Sequence, residues 1–311
     1  MTVTLDKLFA EPTLRERPLR ILVYGLPKHG KSHFVFTGTA VGPLYWIDTE
    51  GGSDFYDHTA GHGFRVLRST DPAKAIAAIE AASAAVKNDE RPVVAVDSFS
   101  SIWFAQQEVA EELTKQWSRG RGGDRASFRA WGPAKKPLKK LYSLLMTTRC
   151  HVVLTARAKM KYAVSTSGEP TPKGLVADME RNLAYAVDLV MEFSVDELAK
   201  GKLPKPTAYT ALVVGSRSDA FPIGTLLRDP KLADLLPAMS EGEVPTGVVG
   251  SVDAQVLSAL TAPTTWAELK KLLTVADIPH EEAKAKLQEE FGPFNPAQVV
   301  EYWEFLLPRK G

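Results

Sequence analysis

Gly25-Leu-Pro-Lys-His-Gly30-Lys31-Ser32 follows the short apolar run Arg20-Ile-Leu-Val-Tyr24 and opens onto a segment, 31–37, that reads as a helix. Strand, glycine-bounded loop and helix are what the pattern G-x-x-x-x-G-K-[ST] needs. Its glycines let backbone N–H groups turn inward around phosphate oxygens at the positive end of a helix. At average residue usage the four fixed positions arise by chance in roughly one chain of this length in a hundred. The placement between strand and helix further disfavours the alternative, a surface glycine loop. In this reading Lys31 reaches the β- and γ-phosphates of ATP and Ser32 ligates Mg²⁺, while Gly25, Leu26, Pro27, Lys28, His29, Gly30 and His33 complete the cradle. His29 belongs to that cradle rather than to a metal site, because no second His or acid stands beside it at ligand spacing.

Outward from the loop, further apolar runs of strand length recur, several with helical stretches between them. They are Leu44-Tyr-Trp-Ile-Asp48, Phe64-Arg-Val-Leu67, Pro92-Val-Val-Ala-Val-Asp97 and Val152-Val-Leu-Thr155, then 186–193 and 209–214; an Ala-rich helix is expected over 72–87. This alternation predicts an α/β fold with a mostly parallel sheet covered on both faces. Ligands of such sheets sit at the carboxyl ends of the strands, where Asp48 and Asp97 fall. Asp97 either holds Mg²⁺ through water, as a Walker B acid, or caps the next helix. Glu50, beside Gly51-Gly52, is placed to orient a water for attack on the γ-phosphate, or else is a solvated loop acid. Asp48 and Glu50 lie two residues apart and share a face on an extended chain, so only one serves as the base.

The chain of 311 residues is 44% apolar, enough for one sizeable α/β core and a small appendage. A net charge of +1 leaves no global basic field to advertise nucleic acid. The single cysteine, Cys150, excludes a disulfide framework and a Cys-based zinc site and fits a reducing compartment. The N-terminus is too charged for a signal peptide, and no apolar run suggests a membrane span, so a soluble, cytoplasmic protein is expected. The expected organisation is an N-terminal arm (1–18), an ATPase core (19–240), a Gly/Pro linker (241–250) and a small helical C-terminal domain (251–311). That last segment carries 6 Lys+Arg against 9 Asp+Glu.

The order of parts resembles the RecA/Rad51 recombinase core: the P-loop, then Tyr45-Trp-Ile-Asp-Thr-Glu50, then Val93-Val-Ala-Val-Asp-Ser98. The similarity covers 20–223 and is greatest to the minimal RecA/Rad51-core ATPases of bacteriophages, several of them implicated in single-strand annealing or recombination. It implies a RecA-like, Mg²⁺-dependent ATPase and favours Glu50 over Asp48 as the catalytic carboxylate. It gives Arg217, in Val213-Val-Gly-Ser-Arg217, the role of a cation reaching a neighbouring subunit's γ-phosphate. Gly215 stands where the family carries a second basic residue. Thr155-Ala-Arg157 replaces an Asn-Gln pair that senses the γ-phosphate.

RecA-type cores bind single strands through two loops, and both places are unusual here. Residues 115–140 hold nine basic side chains, among them Arg119, Arg121, Arg125 and Arg129, against the single acid Asp124. Trp117, Phe128 and Trp131 add flat faces. Cations interleaved with aromatics are the composition of a sequence-tolerant binder of single-stranded DNA. The second loop, after Thr155, carries Arg157, Lys159 and Lys161. The plainer alternative is a pair of solvated loops facing an acidic neighbour. The resemblance also implies a homo-oligomer, ring or filament, in a bacterial host cell if phage-encoded. The acidic tail either binds a partner such as a single-strand-binding protein or is a packing domain. Two rival functions stay open: a RecA-fold helicase or translocase, and a nucleotide-gated assembly protein that ignores DNA.

Overall fold

In the computed structural model, strand β1 (Arg20–Gly25) is buried along its whole length. The structure describes residues 18–87, 90–118, 124–164, 170–195, 208–241, 248–251 and 287–289. After β1 come β2 (Leu44–Asp48), β3 (Phe64–Arg68), β4 (Val93–Asp97), β5 (His151–Val164), β6 (Pro170–Ala177), β7 (Leu189–Val195), β8 (Tyr209–Ser216), β9 (Thr225–Arg228) and β10 (Val248–Ser251). The order across the sheet is β10-β9-β8-β7-β1-β5-β4-β2-β3, with β6 paired to β5. From β7 to β3 all neighbours run parallel, whereas β8, β9 and β10 add an antiparallel edge. A mixed α/β fold with a mostly parallel central sheet is therefore what the alternation of strand and helix produces.

Strand periodicity of two explains the layers. Leu22 and Tyr24 of β1 face one core, completed by Ile76 and Ile79 of α2 (Pro72–Ala84), Ile102 of α3 (Phe99–Ser118) and Leu138, Leu141 and Leu145 of α4 (Asp124–Thr147). Ile21 and Val23 face the other, closed by Phe34 and Val35 of α1 (Lys31–Phe36) and by Leu232 and Leu235 of α5 (Leu232–Glu241). Helix α2 begins where local chemistry says it should: Asp71 accepts a hydrogen bond from the Ala73 N–H, and Pro72 takes the first helical position.

Three segments depart from expectation. The basic stretch beyond 124 is not a loop: Arg125, Arg129 and Trp131 stand on α4, which tolerates Pro133 and Pro137 inside it. Buried Ala130, Ala134, Leu138, Leu141 and Leu145 form the helical stripe that holds it down. The second basic segment is a strand, since β5 runs nine residues past Thr155 and pairs antiparallel with β6. Residues 248–250, at the end of the expected linker, and Ser251, the first residue of the expected C-terminal domain, form the edge strand β10 against β9.

Arg119, Arg121, residues 1–17 of the arm and nearly all of 251–311 lie outside the described residues, so the expected C-terminal domain does too; Leu287 is buried. Among the described residues no helix is long and apolar enough to cross a membrane.

Candidate nucleotide site

The loop from β1 into α1 is shaped by steric limits at its ends. A Cβ on Gly25 would lie 2.5 Å from the Phe193 carbonyl oxygen, and one on Gly30, whose φ is 87°, would strike the Tyr209 ring at 2.5 Å. Leu26, Pro27 and Lys28 are exposed along the loop. His29 is tied by its Nδ1 to the Phe193 carbonyl at 3.1 Å. The Lys31 ammonium folds back on the loop, donating to the carbonyls of Gly25 (3.0 Å) and Leu26 (2.7 Å). Burial lowers its pKa, against the opposing pull of Asp97 and Glu50. His33 faces Tyr209 at 5.4 Å between ring centroids.

The three strand-end acids have different environments. Asp48 is consumed locally: its oxygens accept from the backbone N–H groups of Glu50, Gly51, Gly52 and Ser53 and from the Ser53 hydroxyl. It shapes the turn and has no reach to spare for a base. Asp97 is 6% exposed, and burial raises its pKa against hydrogen bonds from Thr155 and Ser32. Ser32 and Asp97 thus sit side by side, a hydroxyl and a carboxylate suited to a hard divalent cation.

Glu50 accepts from Ser98 Oγ (2.6 Å), Ser101 Oγ (3.3 Å) and the Arg157 guanidinium (3.0 and 3.1 Å), every bond falling on Oε1. Among the described residues Oε2 takes no partner. Burial works to raise the Glu50 carboxyl, but these hydrogen bonds and the Arg157 charge outweigh it and hold the pKa below its usual value.

Thr155 is fully buried and gives its hydroxyl to Asp97, so of the Thr155/Arg157 pair only Arg157 faces Glu50. Arg217 is elsewhere: strand register puts Ser216 beside Leu189, at the start of β7, while Tyr209 lies by the P-loop end. Its guanidinium bonds the Tyr185 carbonyl and lies 3.7 Å from Asp188, at the opposite end of the sheet from its own P-loop. On β5, Lys159 pairs with Asp178 at 2.6 Å and Lys161 is exposed. Arg125 and Arg129 are exposed on α4 and Trp131 is half-buried there.

Sequence reading missed Ser98, Ser101, Tyr56 and Tyr209. The two serines follow the Walker B strand and were visible only as neighbours of Asp97. Tyr209 arrives from a strand far along the chain, with no local signal. Burial, with Asp97 and Tyr209 nearby, pushes the Tyr56 phenol up to about 12.

Comparison with protein families matches residues 17–215 to a family described as an AAA domain. No curated protein matches the chain.

Proposed function

Because the chain belongs to the AAA domain family, whose P-loop members are nucleotide-binding ATPases, we propose that it is a Mg²⁺-dependent ATPase of RecA-like organisation that binds single-stranded DNA and acts in recombination or strand annealing. One observation carries the reading: Arg157 holds Glu50, and the strand on which it stands continues as the arm bearing Lys159 and Lys161. Nucleotide chemistry and a basic surface thereby share one element.

The residues fit Mg-ATP. The P-loop supplies backbone donors, among the described residues Lys31 has two loop carbonyls to leave, and Ser32 with Asp97 forms the hydroxyl–carboxylate pair that would hold Mg²⁺. When bound there, Mg²⁺ would neutralise charge developing on the phosphate oxygens. Lys31 leaves the carbonyls of Gly25 and Leu26 for the phosphates. Glu50, with Oε1 occupied, presents Oε2 to a water. The water oxygen bonds to the γ-phosphorus as the bond to the β,γ-bridging oxygen breaks, and the water's proton passes to Glu50. Arg217 would serve a neighbouring protomer in a homo-oligomer, because its own P-loop is at the far end of the sheet.

The test is ATP hydrolysis with and without oligo-dT at low and moderate salt, beside Lys31→Ala and Glu50→Gln. Stimulation by DNA that weakens with salt is expected. Lys31→Ala should abolish turnover, and Glu50→Gln should retain ATP binding while losing about 10²–10⁴ in kcat. A rate indifferent to DNA, with no DNA retained in any nucleotide state, would favour a nucleotide-gated assembly protein instead.

A further inference from the structure

Helices α3 and α4 enclose an open groove of 680 Å³, within the size range of small-ligand sites. Its floor is a pair of indoles: Trp103 of α3 stacks on Trp131 of α4 at 5.6 Å and 26°. Lys135 locks the pair from one side, lying 5.6 and 5.4 Å from the two ring centroids while its ammonium pairs with buried Glu180 at 3.1 Å. The rings are therefore held before anything binds. Phe128 stands at the rim, 84% exposed, a large apolar face that folding leaves in water. Between rim and floor a Cβ on Gly132 would meet nothing within 4 Å, so the groove is open there for want of a side chain.

The surroundings are cationic. Among the described residues Arg129 and Lys139 line the groove and no acidic residue does; Arg129 also covers the Trp117 ring at 5.4 Å. Positions 128, 131, 132, 135 and 139 recur at three- and four-residue spacing, so one face of α4 presents the aromatic and cationic groups together. Flat faces with cations at phosphate distance along a rim are the chemistry of unpaired bases on a polyanionic backbone.

Resting on the single-strand-binding reading above, we infer that this groove takes an unstacked base of single-stranded DNA, sandwiched between Phe128 and the Trp103–Trp131 pair, with Arg129 and Lys139 on the flanking phosphates. The groove also shares helix α3 with the candidate nucleotide site. Helix α3 begins two residues after Asp97, its Ser101 bonds Glu50, and its Phe104, next to Trp103, lies under the Arg157 guanidinium at 5.6 Å.

The test measures binding of oligo-dT and of an abasic oligomer of equal length to the full chain, by tryptophan emission and by anisotropy of the labelled strand. The variants are Phe128→Ala and Gly132→Leu. The first removes an exposed ring; the second fills the groove from a helical position where leucine is the better helix former. Unchanged thermal melts show that both variants fold. Expected are quenching by oligo-dT, affinity about 5- to 100-fold lower in each variant, and a similar deficit for the abasic strand. Oligo-dT that binds wild type, Phe128→Ala and Gly132→Leu equally, with the abasic strand matching it, overturns the groove and leaves DNA binding to phosphate contacts elsewhere. Polyglutamate that quenches as oligo-dT does also overturns it, marking a surface for acidic protein. If the wild type binds no strand in any nucleotide state, the single-strand-binding reading itself falls, and the groove with it.

Discussion

Glu50 and Asp48 are two positions apart and end with opposite fates. Asp48 accepts from four backbone N–H groups and the Ser53 hydroxyl; Glu50 faces Arg157 with one oxygen to spare. Because Arg157 and the serines hold the Glu50 carboxyl below its usual range, it stays ionised into mild acid. The acid limb of kcat/KM, which reports the free enzyme, should therefore lie below that of an ordinary glutamate. Arg157→Met removes a charge that favours the carboxylate, so the limb should move to higher pH. A pH–rate profile unmoved by that change would count against Glu50 as the base. The P-loop and Asp97 were legible because their signal is local: fixed spacing, then an acid at a strand end. The choice between Asp48 and Glu50 needed a resemblance, because backbone turn geometry, invisible in composition, consumes the first and frees the second.

At the scale of elements, β1 to β5, β7, β8 and helices α1 and α2 were readable from motif and hydrophobic period, whereas α3 to α5 and β6, β9 and β10 were not. Helix α4 contains Gly132, Pro133 and Pro137, residue types that usually disfavour a helix interior, yet the apolar stripe from Ala130 to Leu145 holds it together through burial. In β5, the resemblance implied a loop after Thr155, but the alternation Ala156, Arg157, Ala158, Lys159 is a strand's period of two, and Ala158 packs on the core. The same strand begins with a titratable anchor. His151 is 7% exposed and its Nδ1 accepts the Leu19 N–H at 3.1 Å. Burial, with Arg91 nearby, lowers its pKa from 6.5 to about 4. Between those values the unfolded chain binds the proton and the folded one does not, so stability is full above about pH 6.5 and falls as pH drops. The loss should reach roughly 3 kcal/mol at pH 4. Urea midpoints at stepped pH check this, and His151→Gln should flatten the slope in that window.

For the whole molecule, the sheet separates two charged ends. The nucleotide site occupies the carboxyl ends of β1, β2 and β4, while Arg20, Asp188 and Arg217 meet at the other end. Arg20 bonds Asp188 in full burial, so Arg217 can leave without stranding that acid. If Arg217 completes a neighbour's site, neither Arg217→Ala nor Glu50→Gln protein should hydrolyse ATP well alone. Mixed, they should recover activity, since one interface in the mixture joins an intact Glu50 to an intact Arg217. Absence of recovery at concentrations where the chain self-associates would remove the trans role. Assembly was never legible from a single chain's residues, because it depends on two surfaces meeting. Strand β5 has one more consequence. From Thr155, whose hydroxyl rests on Asp97, to Val164 it spans about 30 Å at the usual strand rise, with a shift in its pairing to β6 between Met160 and Tyr162. With a nucleotide bound in the P-loop, such a strand would act as a lever pivoting beside Asp97: a tilt of a few degrees there would sweep the tip through about 2 Å, so the arm would amplify what the site barely feels.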